Sequence, residues 1–258
     1  MKHMLLLSLA FILALGTACG SGGQLKSDSA DSFAFHYNLG MASFEKGDYR
    51  SAIKHFERSI RINPNVARTH NELGMCFLFL KENAKAVPHF ERALEIDPSF
   101  GEVHNNIGIS LFGLGRYEEA EMHFQATLAS PDYGTKFIPL YNLGNLYQNL
   151  GRYDDAIAIY ERALEDEERI TVEYRINIHH QLGNCLLAIS RYREAYEHYE
   201  LVLVLNPRLV EAAFNAGVAS FNYGDFATAR MMFSKAISVA PGSEWEKRAR
   251  EYLGKMER

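Results

Sequence analysis

"YNLGMASFEKGDYRSAIKHFERSIRINP" (Tyr37 to Pro64) returns, heavily altered, as "YNLGNLYQNLGRYDDAIAIYERALED" (Tyr141 to Asp166). Superposing the two stretches aligns Gly40 with Gly144, Ala52 with Ala156 and Phe56 with Tyr160. The same register, carried along the chain, yields six units starting at Phe33, Ala67, Gly101, Phe137, Ile176 and Val210. Position 8 of the unit is Gly40, Gly74, Gly108, Gly144, Gly183 and Gly217, and position 20 is always alanine. Position 24 is always aromatic: Phe56, Phe90, Phe124, Tyr160, Tyr199 and Phe233. Proline ends four units, at Pro64, Pro98, Pro207 and Pro241. A fixed period of this length marks a repeat architecture.

Each unit reads as two amphipathic helices, parted near position 15 by Gly47, Gly115, Gly151 or Gly224. Small residues at positions 8 and 20 let two helix backbones approach, and the aromatic at position 24 fills the adjoining gap. Proline at position 32 stops the second helix. One such unit cannot bury its apolar face alone, so units must stack. The pattern resembles the tetratricopeptide repeat across 33–258, which implies an all-α, right-handed α-solenoid. A last segment of about 243–256, with an N-cap at Ser243 and apolar Trp245, Ala249, Tyr252 and Leu253, is expected to be a capping helix. Two spacings exceed 34 residues. The extra residues fall in "ASPDYGTK", expected to be a loop, and in "EDEERITVEY", whose charged run is expected to be solvated surface.

The chain departs from the family at position 4, where tryptophan is usual. Here stand His36, His70, His104 and His179, with Leu140 and Ala213 in the other units. Position 23 adds His55, His89, His123 and His198. No HExxH or CxxC accompanies them, and copied units copy their residues. They read as half-buried packing histidines, and no metal site is expected.

The N-terminal part has a different character. Met1-Lys2-His3 precedes an apolar run from Met4 to Leu15, too short for a permanent membrane span, which needs about 20 apolar residues. Small residues Gly16, Thr17 and Ala18 then lead to Cys19, as in a signal peptide of 1–18. A cysteine so placed resembles the lipobox of bacterial lipoproteins, although Gly16 stands where that motif usually has a large aliphatic residue. The resemblance implies that Cys19 becomes the mature N-terminus carrying diacylglycerol and a further acyl chain; an ordinary cleaved signal with an incidental cysteine is the alternative. Residues 19–32 are a Gly/Ser-rich tether. Cleavage would leave 26 basic and 32 acidic side chains, a balance of −6 that does not favour nucleic acid. Cys76 and Cys185 share position 10 three repeats apart, too far for a disulfide, and read as buried small hydrophobes.

First helices line the inner side of such a solenoid. Asparagines recur there at positions 5, 6 and 9 with aromatics between them, and an amide can both donate to and accept from an extended backbone. The candidate peptide-binding residues are Tyr37, Asn38, Phe44, Asn71, Asn105, Asn106, Phe112, Tyr141, Asn142, Asn145, Asn184, Phe214 and Asn215. The same residue types also serve the fold in this repeat family, so either role is open. The paired carboxylates Glu118–Glu119 and Asp154–Asp155 sit near helix N-termini, where they suit the helix dipole. No catalytic constellation emerges, and neither an enzyme, a small-molecule substrate nor a cofactor is expected.

The layout of leader, tether and six repeats resembles the type IV pilus biogenesis lipoproteins, or pilotins. "FQATLASPDYGTKFIPLYNLG" (Phe124 to Gly144) is similar to that family's connection between units 3 and 4, through Pro131, Tyr133, Thr135, Asn142 and Gly144. The resemblance implies a periplasm-facing, lipid-anchored outer-membrane protein that helps secretin subunits reach the membrane and form their ring, with other pilus-assembly proteins as further partners. The alternative is a generic envelope adaptor tethering cell-wall enzymes or another secretion complex.

Overall fold

The computed structural model describes residues 32–131, 133–165 and 169–257. Among them are thirteen α-helices and no strand: α1 (Phe33–Glu45), α2 (Tyr49–Ile62), α3 (Ala67–Phe79), α4 (Asn83–Ile96), α5 (Gly101–Gly113), α6 (Tyr117–Ala129), α7 (Phe137–Asn149), α8 (Tyr153–Leu164), α9 (Val172–Ala188), α10 (Tyr192–Leu205), α11 (Val210–Tyr223), α12 (Phe226–Val239) and α13 (Glu244–Lys255). Each helix packs on the next, and odd-numbered helices from α3 to α11 also touch their odd-numbered neighbours. That is a solenoid of helix pairs. No described helix is long and apolar enough to cross a membrane.

The pairing inside each unit follows from three residues. A Cβ added to Gly144 would lie 2.5 Å from Cε1 of Tyr160, and one added to Gly40 would lie 2.5 Å from Cε1 of Phe56. The other four position-8 glycines meet the position-24 ring at 2.6 or 2.7 Å. The ring therefore lies flat against bare helix backbone, and even one methyl group is excluded. The rings themselves and the position-20 alanines are at most 1% exposed. Stacking these six glycine–ring contacts makes one continuous core.

The turn between the helices of a unit needs a left-handed residue. Gly47, Gly115, Gly151 and Gly224 supply it with φ between 72° and 93°. Lys81 and Ser190 occupy the same position without glycine and adopt φ of 61° and 64°. Helix starts are capped by Ser32, Asp48, Thr171, Asp225 and Ser243, each accepting a backbone N–H three residues on. Glu82, Arg116, Arg152 and Arg191 precede their helices without such a bond.

The two long connections are more structured than their composition suggests. α9 begins at Val172, four residues before the repeat register would start it, and runs for 17 residues. The second insertion is thus partly a helical turn, and its Tyr174 is buried against Phe137 and Tyr141, ring centroids 5.0 and 5.5 Å away. The described ends of the insertion's charged run, Glu165 and Arg169, are exposed, and residues 166–168 lie outside the described ones. In the first insertion Ser130 closes over Gly101, where an added Cβ would sit 2.4 Å from its Oγ. Arg169 then donates to the carbonyl of Gly134 at 2.6 Å, tying the two connections together.

Cys76 and Cys185 are free, buried thiols, and burial pushes both up to about 12. At the far end α13 lies on α11 and α12, with Trp245 and Tyr252 against Phe214.

Candidate binding face

Six first helices (α1, α3, α5, α7, α9 and α11) present their position-5, -6, -9 and -12 side chains to one face. The asparagines on it are largely spent on one another. Asn106 Nδ2 donates to Asn71 Oδ1 at 3.0 Å, and Asn142 Nδ2 donates to Asn105 Oδ1 at 3.0 Å. Asn215 Nδ2 donates to Asn184 Oδ1 at 3.2 Å, and Asn184 Nδ2 to Gln181 Oε1 at 3.0 Å. Between α7 and α9 the Tyr141 hydroxyl exchanges hydrogen bonds with the Asn145 and Gln181 side chains. A polar seam therefore runs from α3 to α11 and fixes the register of successive units.

That seam divides the candidate residues. Asn71, Asn105, Asn106 and Asn142 are buried and paired, so they are joints between repeats and not open groove surface. The reason is distance: neighbouring first helices approach closely enough for one amide to span the gap. Phe214 is also withdrawn, 0% exposed beneath the capping helix. Asn38 is exposed, while Tyr37, Phe44, Phe112, Tyr141, Asn145, Asn184 and Asn215 are half-buried on the face. Asn145 and Asn184 accept from the buried hydroxyls of Tyr160 and Tyr199, each at 2.7 Å. A hydroxyl on a position-24 ring is thereby satisfied inside the core.

What remains open is aromatic and charged. Phe44, Tyr49 and Phe79 form a three-ring cluster, with Tyr49 and Phe79 stacked at 4.7 Å and Phe44 edge-on to both at 5.4 Å. They border a shallow cavity of about 390 Å³ that also touches Glu45, Lys46 and Gly47. Phe112 with Tyr117, and Phe221 with Phe226, repeat the contact at other turns.

Glu72 was not anticipated as special, although it is the one charge in a row of amides at position 6. Its carboxyl is 15% exposed and lies 3.9 Å from the Arg68 guanidinium. Burial pushes its pKa up to about 7, with Arg68 opposing and Glu102 adding to the rise. Glu102, on the next first helix, is likewise raised by burial. The first joint of the solenoid is thus Tyr37 facing Glu72, where three of the four later joints have amide pairs and the α7–α9 joint has Tyr141 with Gln181. Cys19 lies outside the described residues.

Residues 31–99 and 136–203 match a model of the tetratricopeptide repeat, and 89–122 match a second model of that repeat. The human intraflagellar transport protein 88 homolog is 30% identical over 98 residues, which span 38% of this chain and only 12% of that protein. Among solved structures, Pseudomonas aeruginosa PilF superposes with a TM-score of 0.71 at 20% identity, over 86% of this chain and 97% of that one. PilW, titled a widely conserved type IV pilus biogenesis factor, gives 0.73 at 22% identity, over 84% and 97%. Likeness at these identities establishes a shared fold.

Proposed function

Because the chain belongs to the tetratricopeptide-repeat family, whose members mediate protein–protein interaction, we propose that it is a lipid-anchored scaffold that assists assembly of a type IV pilus secretin. The observation that carries this reading is the near-complete overlap with PilF and PilW: 97% of each is covered, so the likeness runs along their whole length and not over one or two repeats. The sequence resemblance of the unit 3–4 connection, through Pro131, Tyr133 and Thr135, supports it independently.

In this proposal the acyl chains on Cys19 hold the solenoid at the inner leaflet of the outer membrane. After Cys19 comes a Gly/Ser-rich stretch of about 13 residues whose composition would allow a reach of roughly 20 Å. An unassembled secretin segment lies across the first-helix face, its apolar side chains entering the ring cluster of Phe44, Tyr49 and Phe79, and its polar groups meeting Asn38, Asn145 and Asn215. Tethering raises the local subunit concentration where the ring must form. A deletion strain should lose heat-resistant secretin multimers and surface pili while still making the monomer. A Cys19→Ala strain should mislocalise secretin even though its solenoid is intact. Normal rings in the deletion strain, with altered cell-wall turnover instead, would favour an adaptor for envelope enzymes.

A further inference from the structure

Four of the six units face a first-helix histidine with a second-helix histidine. His36 and His55, His70 and His89, His104 and His123, and His179 and His198 have ring centroids 5.9, 6.1, 5.2 and 5.2 Å apart. The two positions change together: the units with apolar Leu140 and Ala213 have apolar Ile159 and Met232 opposite. Two of the pairs close further, and identically. Nδ1 of His104 lies 3.0 Å from Nδ1 of His123, and Nδ1 of His179 lies 3.0 Å from Nδ1 of His198. Those two units alone combine a histidine pair with an Arg–Glu bridge one turn before the second histidine, Arg116–Glu119 and Arg191–Glu194. The looser pairs have Ser51 and Lys85 in the place of that glutamate.

We propose that His104–His123 and His179–His198 are two chelating sites for a divalent transition-metal ion of the Cu²⁺ or Ni²⁺ type, bound through both Nδ1 atoms. The donor type selects the ion: imidazole nitrogen suits Cu²⁺ and Ni²⁺, and Cu²⁺ stands at the head of the affinity order for such sites. The hydrogen-bonded nitrogens, 3.0 Å apart, need each ring to turn from the other toward a shared ion to accept metal–imidazole bonds of about 2.0–2.1 Å. Among the described residues no three metal-binding side chains gather, so these supply two ligands at each site and water completes the shell.

The proton balance is simple. In the empty pair one Nδ1–H donates to the other ring's Nδ1. Binding requires both rings as Nε2–H tautomers, so that one proton moves from Nδ1 to Nε2 of the same ring and none is released. Burial keeps the rings neutral and ready as ligands: it lowers His104, His123 and His198, and takes His179 down to about 4. Charge near the sites is mixed. Glu119 faces His123, and Glu161, Glu197 and Glu194 face His198, offsetting an ion's charge; Arg116, Arg175 and Arg191 oppose.

The test uses the full-length chain in detergent, free of any affinity-tag histidines, with Ni²⁺ counted by equilibrium dialysis and Cu²⁺ followed by electron paramagnetic resonance. The paired changes His104→Leu with His123→Ile, and His179→Leu with His198→Ile, copy the chain's own Leu140–Ile159 pair. Each pair of changes should remove one Ni²⁺ per chain, and all four should remove two, together with the Cu²⁺ signal coupled to two nitrogens. Binding by the remaining histidines is common to all variants and cancels in the difference. Equal stoichiometry in wild type and the fourfold variant, at unchanged helicity, overturns the proposal. Should a variant unfold, the wild type decides: Tm should rise by several degrees in tenfold excess Ni²⁺, and no rise in Ni²⁺ overturns it.

Discussion

Replacing Gly144 with alanine adds one methyl group where the structure has no room for it. The new Cβ would lie 2.5, 2.7 and 2.8 Å from Cε1, Cδ1 and Cζ of Tyr160. Tyr160 cannot swing aside cheaply, because its ring is 0% exposed and its hydroxyl, within hydrogen-bond distance of Asn145 Oδ1 and Gln148 Oε1 at 2.7 and 3.0 Å, donates to one of them. Overpacking of this kind costs about 1–3 kcal/mol. Against it stands the gain of about 1 kcal/mol that alanine brings to a helix interior. The net expectation is a loss of up to about 2 kcal/mol, and a Tm lower by up to about 8 °C for a domain of this size. The same substitution at Gly254, in α13, meets nothing within 4 Å. There only the helix term acts, and Gly254→Ala should be neutral or stabilising by up to about 1 kcal/mol. Thermal and urea unfolding followed by circular dichroism would read both. If Gly144→Ala proves stabilising, as Gly254→Ala is expected to be, the close approach of ring to backbone is wrong and with it the packing of every unit.

Glu72→Gln should stabilise the chain in a pH-dependent way. A carboxyl raised to about 7 from an ordinary 4.5 binds more protons folded than unfolded, so its cost is present above pH 7 and relieved as pH falls towards 4.5. The variant should gain up to about 3 kcal/mol at pH 8.5 and little at pH 4.5; an equal effect at both would contradict the burial of that carboxyl. Asn142→Ala leaves the buried Asn105 carbonyl without its donor and should cost about 1–3 kcal/mol. Retained stability together with weakened partner binding would instead return Asn142 to the binding surface. Intact mass of the membrane-extracted protein should show loss of residues 1–18 and acyl chains on Cys19; a mature chain without lipid removes the anchor from the account.

The repeat core was legible because its causes are local and multiplied. Glycine at position 8, alanine at 20 and an aromatic ring at 24 are all required by one helix crossing, and six copies separate that requirement from chance. The binding residues were harder to read. An asparagine on a helix face looks the same in sequence whether it bonds the next helix or a partner, and only the spacing of neighbouring helices decides, as for Asn71 and Asn106. Phe214 misled for a related reason, since its cover comes from a helix thirty residues later. The left-handed turns at Lys81 and Ser190 were hidden by the absence of glycine, although their place in the register predicted a break. Insertions carry no copied pattern at all, so the extra turn of α9 and the burial of Tyr174 had no signal beyond Tyr174 itself.

The central claim, that this solenoid holds a secretin subunit on its first-helix face, is tested most directly by co-purification from detergent-solubilised envelopes. Wild type would be compared with a variant carrying Phe44→Ala, Asn38→Ala and Asn145→Ala, its fold checked by circular dichroism. The account predicts secretin monomer in the wild-type eluate and several-fold less with the folded variant. Secretin absent from the wild-type eluate, or recovered equally with both, would contradict it.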